Sequence, residues 1–307
     1  MHSNNNDFSQ PCRFCPRQCM VVRSSGEKGY CNLDEKLYVS SVCIHTGEEP
    51  PVSGEKGICN VFFSHCNLSC IYCQNFQISN NNKIYPVASD YQKTVEQIVY
   101  CLEKGASGLG FVSPSHQIPQ MVSLIDKVRS LGFNPTIVYN TNGYDDPGTL
   151  KTIEDYVDVY LVDFKYSDSS VAKELSDVSD YPEIALKAIQ EMIRQKGVSL
   201  TYSTEGLAKQ GVIIRHLVLP GYIDNSIGVM NMIADFLDPK IALSLMSQYY
   251  PAGGALKHDK LNRTLKVEEY QRVVDYIEFL GFDNGWIQEM DSKNNYQPDF
   301  DKETPFE

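Results

Sequence analysis

From residue 58 onward this 307-residue chain alternates short apolar runs with longer amphipathic stretches, and no other feature restricts its fold as much. Apolar runs of four to eight residues read as buried strands, and apolar residues recurring three and four apart read as helices; their alternation predicts parallel strands joined by crossover helices. The expected strands are 58–64, 109–113, 136–139, 157–164, 212–219 and 241–246. The expected helices are 94–104, with Thr94 and Gln97 spaced as a capping box and Gly105 as the stop; 119–131, closed by Gly132; 182–196, closed by Gly197; 227–237; and 267–280, ended by Gly281. Six such α/β units fit either an open doubly wound sheet or an incomplete parallel barrel, and periodicity does not choose between them. In both, ligands gather at the carboxyl ends of the strands, so the residues that follow each strand matter most.

With 42% apolar and 21% charged residues the chain has a globular composition and enough length for a core. No apolar run approaches the roughly 18 to 20 residues of a membrane span, and the stretch Met1 to Asp7 lacks the pattern of a signal peptide. A cytoplasmic location with no membrane partner is expected. The formal charge of -12 has the wrong sign for holding polyanions, so nucleic acid is not expected as a partner. The polar tails 1–10 and 294–307 are expected to be loose.

Ten cysteines are too few for a disulfide-stapled scaffold, and clustered thiols in a reducing compartment read as metal ligands. Cys59, in the first strand, and Cys101, on the apolar face of helix 94–104, are expected in the core. Directly after the first strand come Cys66, Cys70 and Cys73, at intervals of four and three. A four-iron cluster normally takes four cysteines, so a three-cysteine loop leaves one iron open; the alternative is a zinc knuckle that borrows a fourth ligand such as His65. Cys12, Cys15, Cys19 and Cys31 form a closed set of four that suits structural zinc or a second iron–sulfur cluster. Their spacing matches neither a zinc ribbon nor the ferredoxin run, and both metals stay open.

The loop Cys66-Asn67-Leu68-Ser69-Cys70-Ile71-Tyr72-Cys73 resembles that of radical S-adenosylmethionine (radical SAM) enzymes, with Tyr72 matching the aromatic residue before the third cysteine. The resemblance implies a partial parallel (βα)6 barrel, a 4Fe-4S cluster on the three cysteines and S-adenosylmethionine (SAM) on the open iron. It further implies a 5'-deoxyadenosyl radical that takes hydrogen from a substrate, and a one-electron donor such as a flavodoxin or ferredoxin. More of the chain is similar to proteins related to pyruvate formate-lyase activating enzymes: His45 to Pro51 before the first strand, Phe111 to Pro114 after the second, Tyr139 to Tyr144 after the third, Asp163 to Lys165 after the fourth, and Arg215 to Gly221 at the fifth. It departs from many family members in lacking a glutamate after the second strand, where Phe111-Val112-Ser113-Pro114 stands.

SAM carries a carboxylate, an ammonium and a ribose diol, so its site needs charges of both signs with amide and hydroxyl partners. Lys165 and Arg215 suit the carboxylate, Asp163, Asn140 and Asn142 the ammonium or ribose, and Ser113 the methionine part. The plain alternatives are a turn at Asn142-Gly143 and a surface pair between Asp163 and Lys165. His45, Glu48 and Glu49 read as a solvated turn stiffened by Pro50-Pro51, with a substrate or lid contact as the alternative. The expected organisation is an N-terminal cysteine-rich metal-binding segment and linker at 1–56, the partial barrel at 57–281 and an extension at 282–307. Three functions fit: a radical SAM enzyme of unidentified substrate, an activase taking hydrogen from a glycine of a partner protein or peptide, and a non-catalytic iron–sulfur or zinc protein.

Overall fold

The computed structural model describes residues 8–82, 86–291, 297–302 and 304–306. The strands are β1 (Val39–His45), β2 (Ile58–Phe63), β3 (Leu109–Val112), β4 (Ile137–Thr141), β5 (Val159–Asp163), β6 (Thr201–Tyr202), β7 (Ala208–Leu217), β8 (Ala242–Met246) and β9 (Gly285–Ile287). The helices are α1 (Pro50–Ser53), α2 (Phe76–Ser79), α3 (Tyr91–Glu103), α4 (Ile118–Ser130), α5 (Pro147–Thr152), α6 (Ser169–Ser176), α7 (Tyr181–Lys196), α8 (Ile223–Phe236) and α9 (Val267–Phe279). All six expected strands are present, in the order β2-β3-β4-β5-β7-β8, and every neighbouring pair among them is parallel. Every residue of β2, β3 and β4 is buried, the pattern of a parallel sheet covered on both faces.

The sheet extends past this set at both edges. β1 pairs antiparallel with β2, and β9 pairs parallel with β8. Between those edges the sheet curls. The carboxylate of Glu48, in the link between β1 and α1, bonds Asn60 on β2, Asn140 on β4 and Arg215 on β7. Neighbouring strands lie about 4.8 Å apart, so one side chain cannot touch all three across a flat sheet. The choice that periodicity leaves open is thereby made in favour of the incomplete barrel.

Helix ends depart from expectation where a stronger local bond exists. α3 begins at Tyr91 because Asp90 accepts from the Lys93 N–H at 2.9 Å; Thr94 Oγ1 turns back to the Asp90 carbonyl and is not a cap. α8 starts four residues before the expected 227. Gly197 ends α7, and Gly281 closes the turn after α9, as expected. Cys59 and Cys101 are buried in the main core, where they hydrogen-bond each other.

The C-terminal tail is not loose throughout. Residues 1–7 and 292–296 lie outside the described residues, but Phe300 and Phe306 pack on Phe62 with ring centroids 5.3 and 5.6 Å away, and Phe306 lies 4.0 Å from the His45 ring. Gln77 on α2 bonds Asp299 and the Phe300 N–H, so this segment straps the sheet edge beside β1. Among the described residues no helix is long and apolar enough to cross a membrane.

Candidate active site

The chain leaves β2 through His65, a non-glycine residue in the left-handed region (φ 66°), and turns at once into the cysteine loop. Five separate parts of the chain hold that loop. Asn81 clasps the Cys66 backbone at both ends, and Asn67 Nδ2 donates to the Tyr144 carbonyl at 2.6 Å. Ile71 N–H donates to Leu175 in α6, while its carbonyl accepts from Ala255. His65 Nδ1 bonds the Cys31 carbonyl at 2.7 Å, and Arg17 Nε donates to the Asn67 carbonyl at 2.9 Å.

Each of the three sulfurs has its own donor. Cys66 Sγ accepts from Asn142 Nδ2 (3.3 Å) and the Leu68 N–H (3.4 Å), Cys70 Sγ from Ser176 (2.9 Å), and Cys73 Sγ from Ser79 (3.2 Å). Burial pushes the Cys66 thiol up to about 12, reinforced by the nearby Cys70 sulfur. Burial likewise raises Cys70 to about 11, against the pull of the Lys165 ammonium. Buried thiols of this kind ionise only beside added positive charge, which a metal centre supplies. Around zinc, four sulfurs at about 2.3 Å from the ion stand only about 3.8 Å apart. Among the described residues no three His, Cys, Asp or Glu side chains form a group of that kind.

The strand-end residues meet in a single buried network. Arg215 engages protein through each of its three guanidinium nitrogens: Nε on Asp163 (2.8 Å), one terminal nitrogen on Glu48 (2.9 Å) and the other on Asn140 (2.7 Å). Lys165 Nζ bonds Asp163 at 2.6 Å, and both side chains are only 16% exposed, so the pair is not a surface pair. Burial alone would raise the Asp163 pKa, but Arg215 and Lys165 outweigh it and hold the carboxyl below its ordinary value. Burial opposes the Lys165 charge too, and Asp163 overcomes it and raises that pKa. Both Arg215 and Lys165 keep N–H donors beyond these bonds, and both border the cleft.

Glu48 corrects the expectation of a solvated turn: its side chain is 8% exposed and sits inside the barrel. Its neighbour Glu49 is also buried; burial raises its pKa, and its Oε2 has no hydrogen-bond partner among the described residues. Asn142 serves turn and site together, its Oδ1 capping the Tyr144 N–H while its Nδ2 reaches Cys66. The adjacent Gly143 (φ 81°) is required, since a Cβ there would stand 2.3 Å from the Asp163 carbonyl oxygen. Ser113 leaves β3 in the left-handed region (φ 54°), its N–H bonded to the Asn140 carbonyl. Tyr72 is buried, and its hydroxyl meets that of Tyr166 at 2.7 Å.

The cysteines and the strand-end charged and amide groups border one cleft of about 590 Å³, a size usual for small-molecule and cofactor sites. Cys66, Cys70 and Cys73 stand on its wall together with Ser113, Asn140, Asn142, Asp163, Lys165 and Arg215, and Tyr72 joins them. Glu48, Glu49 and the C-terminal Phe306 border it as well. A zwitterionic ligand with a polar diol suits this lining, which offers cationic, anionic, amide and hydroxyl groups. Cys12, Cys15, Cys19 and Cys31 lie elsewhere, around a separate small cavity. The residues passed over in sequence are Ser79 and Ser176, which carry no spacing signal because they reach the sulfurs from two different helices.

Residues 60–230 match the model of the Radical SAM superfamily. The chain is 28% identical over 277 residues to the uncharacterized protein MJ0674 of Methanocaldococcus jannaschii, covering 89% of this chain and 75% of that protein. A second uncharacterized protein of that organism, MJ0808, is 25% identical over 271 residues, 80% of this chain and 72% of its own. Among solved structures, HydG, a maturase of the FeFe-hydrogenase, aligns with TM-score 0.51 and 12% identity over 78% of this chain and 53% of that one. Streptococcus suis SuiB bound to S-adenosylmethionine aligns with TM-score 0.48 and 13% identity, over 73% of this chain and 48% of that one. The chain thus spans about half the length of these two solved structures, and the likeness to HydG is one of fold.

Proposed function

The chain belongs to the radical SAM superfamily, and on that premise we propose that Cys66, Cys70 and Cys73 hold a 4Fe-4S cluster with SAM bound beside it in the cleft. Together these groups supply, when bound, a one-electron cleavage of SAM that yields a hydrogen-abstracting radical. The protein's part is to bind, orient and keep out water. Asn142, Ser176 and Ser79 donate to the three sulfurs and stabilise them as thiolates. Lys165 offers its remaining N–H donors to the SAM carboxylate. Asp163, Asn140, Asn142 and Ser113 serve the ammonium and ribose, and Tyr72, within the loop, borders the cofactor cleft and anchors the loop to Tyr166. Arg215 fixes Asp163, Asn140 and Glu48 in place and joins Lys165 at the carboxylate through its remaining N–H donors.

The observation that carries this reading is the union of three donor-capped sulfurs with a mixed-charge wall around one cleft. The electron comes from a separate one-electron donor of the flavodoxin or ferredoxin class. After anaerobic reconstitution with iron and sulfide, the reduced protein should convert SAM to 5'-deoxyadenosine, and Cys66→Ala, Cys70→Ala and Cys73→Ala should each abolish this. Equal product from those variants, or none from the wild type, overturns the reading.

A further inference from the structure

We propose that Cys12, Cys15, Cys19 and Cys31 hold a second iron–sulfur cluster, fully ligated by cysteine, packed against the back of the loop that carries Cys66. Such a site does not depend on the reaction proposed above. The four cysteines converge across a segment with little regular structure and border one small cavity together with Phe14 and His116.

Three of the four sulfurs accept backbone N–H groups: Cys19 from Tyr30 at 3.2 Å, Cys15 from Arg17 and Cys31 from Leu33. Amide donors aimed at sulfur favour the thiolate, the form that ligates metal, and are a lever on cluster potential. Gly29 exists for this contact: a Cβ there would lie 2.6 Å from Cys19 Cβ and 2.7 Å from its sulfur.

Size separates a cluster from zinc. Four sulfurs around one zinc ion sit about 2.3 Å from their common centre and leave no further space. Here no three ligand-type side chains among the described residues close to single-ion spacing, and the cavity still has room for one water-sized sphere, about 10 Å³. The Cys66, Cys70 and Cys73 group likewise fails to close to that spacing. Sulfurs held apart around a small space suit several irons bridged by sulfide, and four cysteines complete their ligation. A saturated cluster has no open iron, so this one would bind no substrate.

The two cysteine groups share a wall. The Cys31 carbonyl bonds His65, the residue before Cys66; Arg17, two residues after Cys15, bonds the Asn67 carbonyl; and Asn81 Nδ2 bridges the carbonyls of Tyr30 and Cys66.

The test is made on the full chain with Cys66, Cys70 and Cys73 all changed to Ala, reconstituted anaerobically with iron and sulfide. Iron and acid-labile sulfide in about equal number, at least about two of each per chain, are expected. One zinc, one iron without sulfide, or no metal overturns the proposal. If that variant does not fold, the wild type decides: about six to eight irons with matching sulfide support a second cluster, and about four or fewer overturn it. 5'-Deoxyadenosine production by the wild type is read separately, so failure of the SAM reaction and failure of the second cluster are distinguishable.

Discussion

Arg215 anchors the interior of the barrel by joining two carboxylates and an amide. Removing a buried partner leaves uncompensated charge, which costs about 3–5 kcal/mol. Arg215→Met should therefore lower unfolding stability in urea by about that amount, and Glu48→Gln added to it should recover part, because the stranded charge is gone. Asp163, Lys165 and Arg215 are legible in the sequence because they close successive strands. Glu48 is not, because it enters from a link whose path depends on the pairing of β1 with β2. A different residue contributes to acid stability, together with the buried His116. The buried His216 gives its Nδ1 proton to the Phe164 carbonyl and accepts at Nε2 from Ser226. Burial lowers its pKa from 6.5 to about 4, so between those values the unfolded chain takes the proton more readily. Its contribution is intact above pH 6.5 and declines toward pH 4 by about 1.4 kcal/mol per unit. The urea midpoint of the wild type should fall across that window more steeply than that of His216→Gln; parallel curves would contradict it.

At the scale of elements, the strand ends and the turns after them hold the cysteine loop in shape. Gly143→Ala puts a Cβ against the Asp163 carbonyl in a left-handed turn, so it should destabilise by more than about 1 kcal/mol. It should also loosen Asn142 from Cys66. Ser176, at the end of α6, donates to Cys70, and second-layer partners of metal ligands are worth about 10–100-fold in affinity. Ser176→Ala should lose iron to a chelator at least about tenfold more readily than the wild type, with circular dichroism unchanged. The six parallel strands are legible because burial on both faces writes near-continuous apolar runs. β1 is not, since Val39–His45 is a partly exposed edge strand with polar residues among the apolar ones, and β9 has three residues, too few to show a period. The early start of α3 follows from Asp90, a better N-cap than the Thr94 and Gln97 pairing that spacing alone suggests.

For the whole molecule, the incomplete barrel leaves an edge that the C-terminal strap covers. Deleting 297–307 should leave the sheet folded, because no strand is lost, while exposing Phe62 and the cleft beside His45. Faster amide hydrogen exchange confined to β1, β2 and α2 is the expected signature, and global unfolding would show that the strap does more than cover. The cysteine loop draws its supports from nearly the full length of the chain: Arg17 and Cys31 before it, Tyr144 and Leu175 midway, Ala255 near the end, and Asp299 through Gln77 on the adjoining helix. Supports so far apart in sequence come together only when the whole barrel has closed, so wholesale opening of the sheet, more than fraying of any one turn, is what would bare the three sulfurs to oxidants.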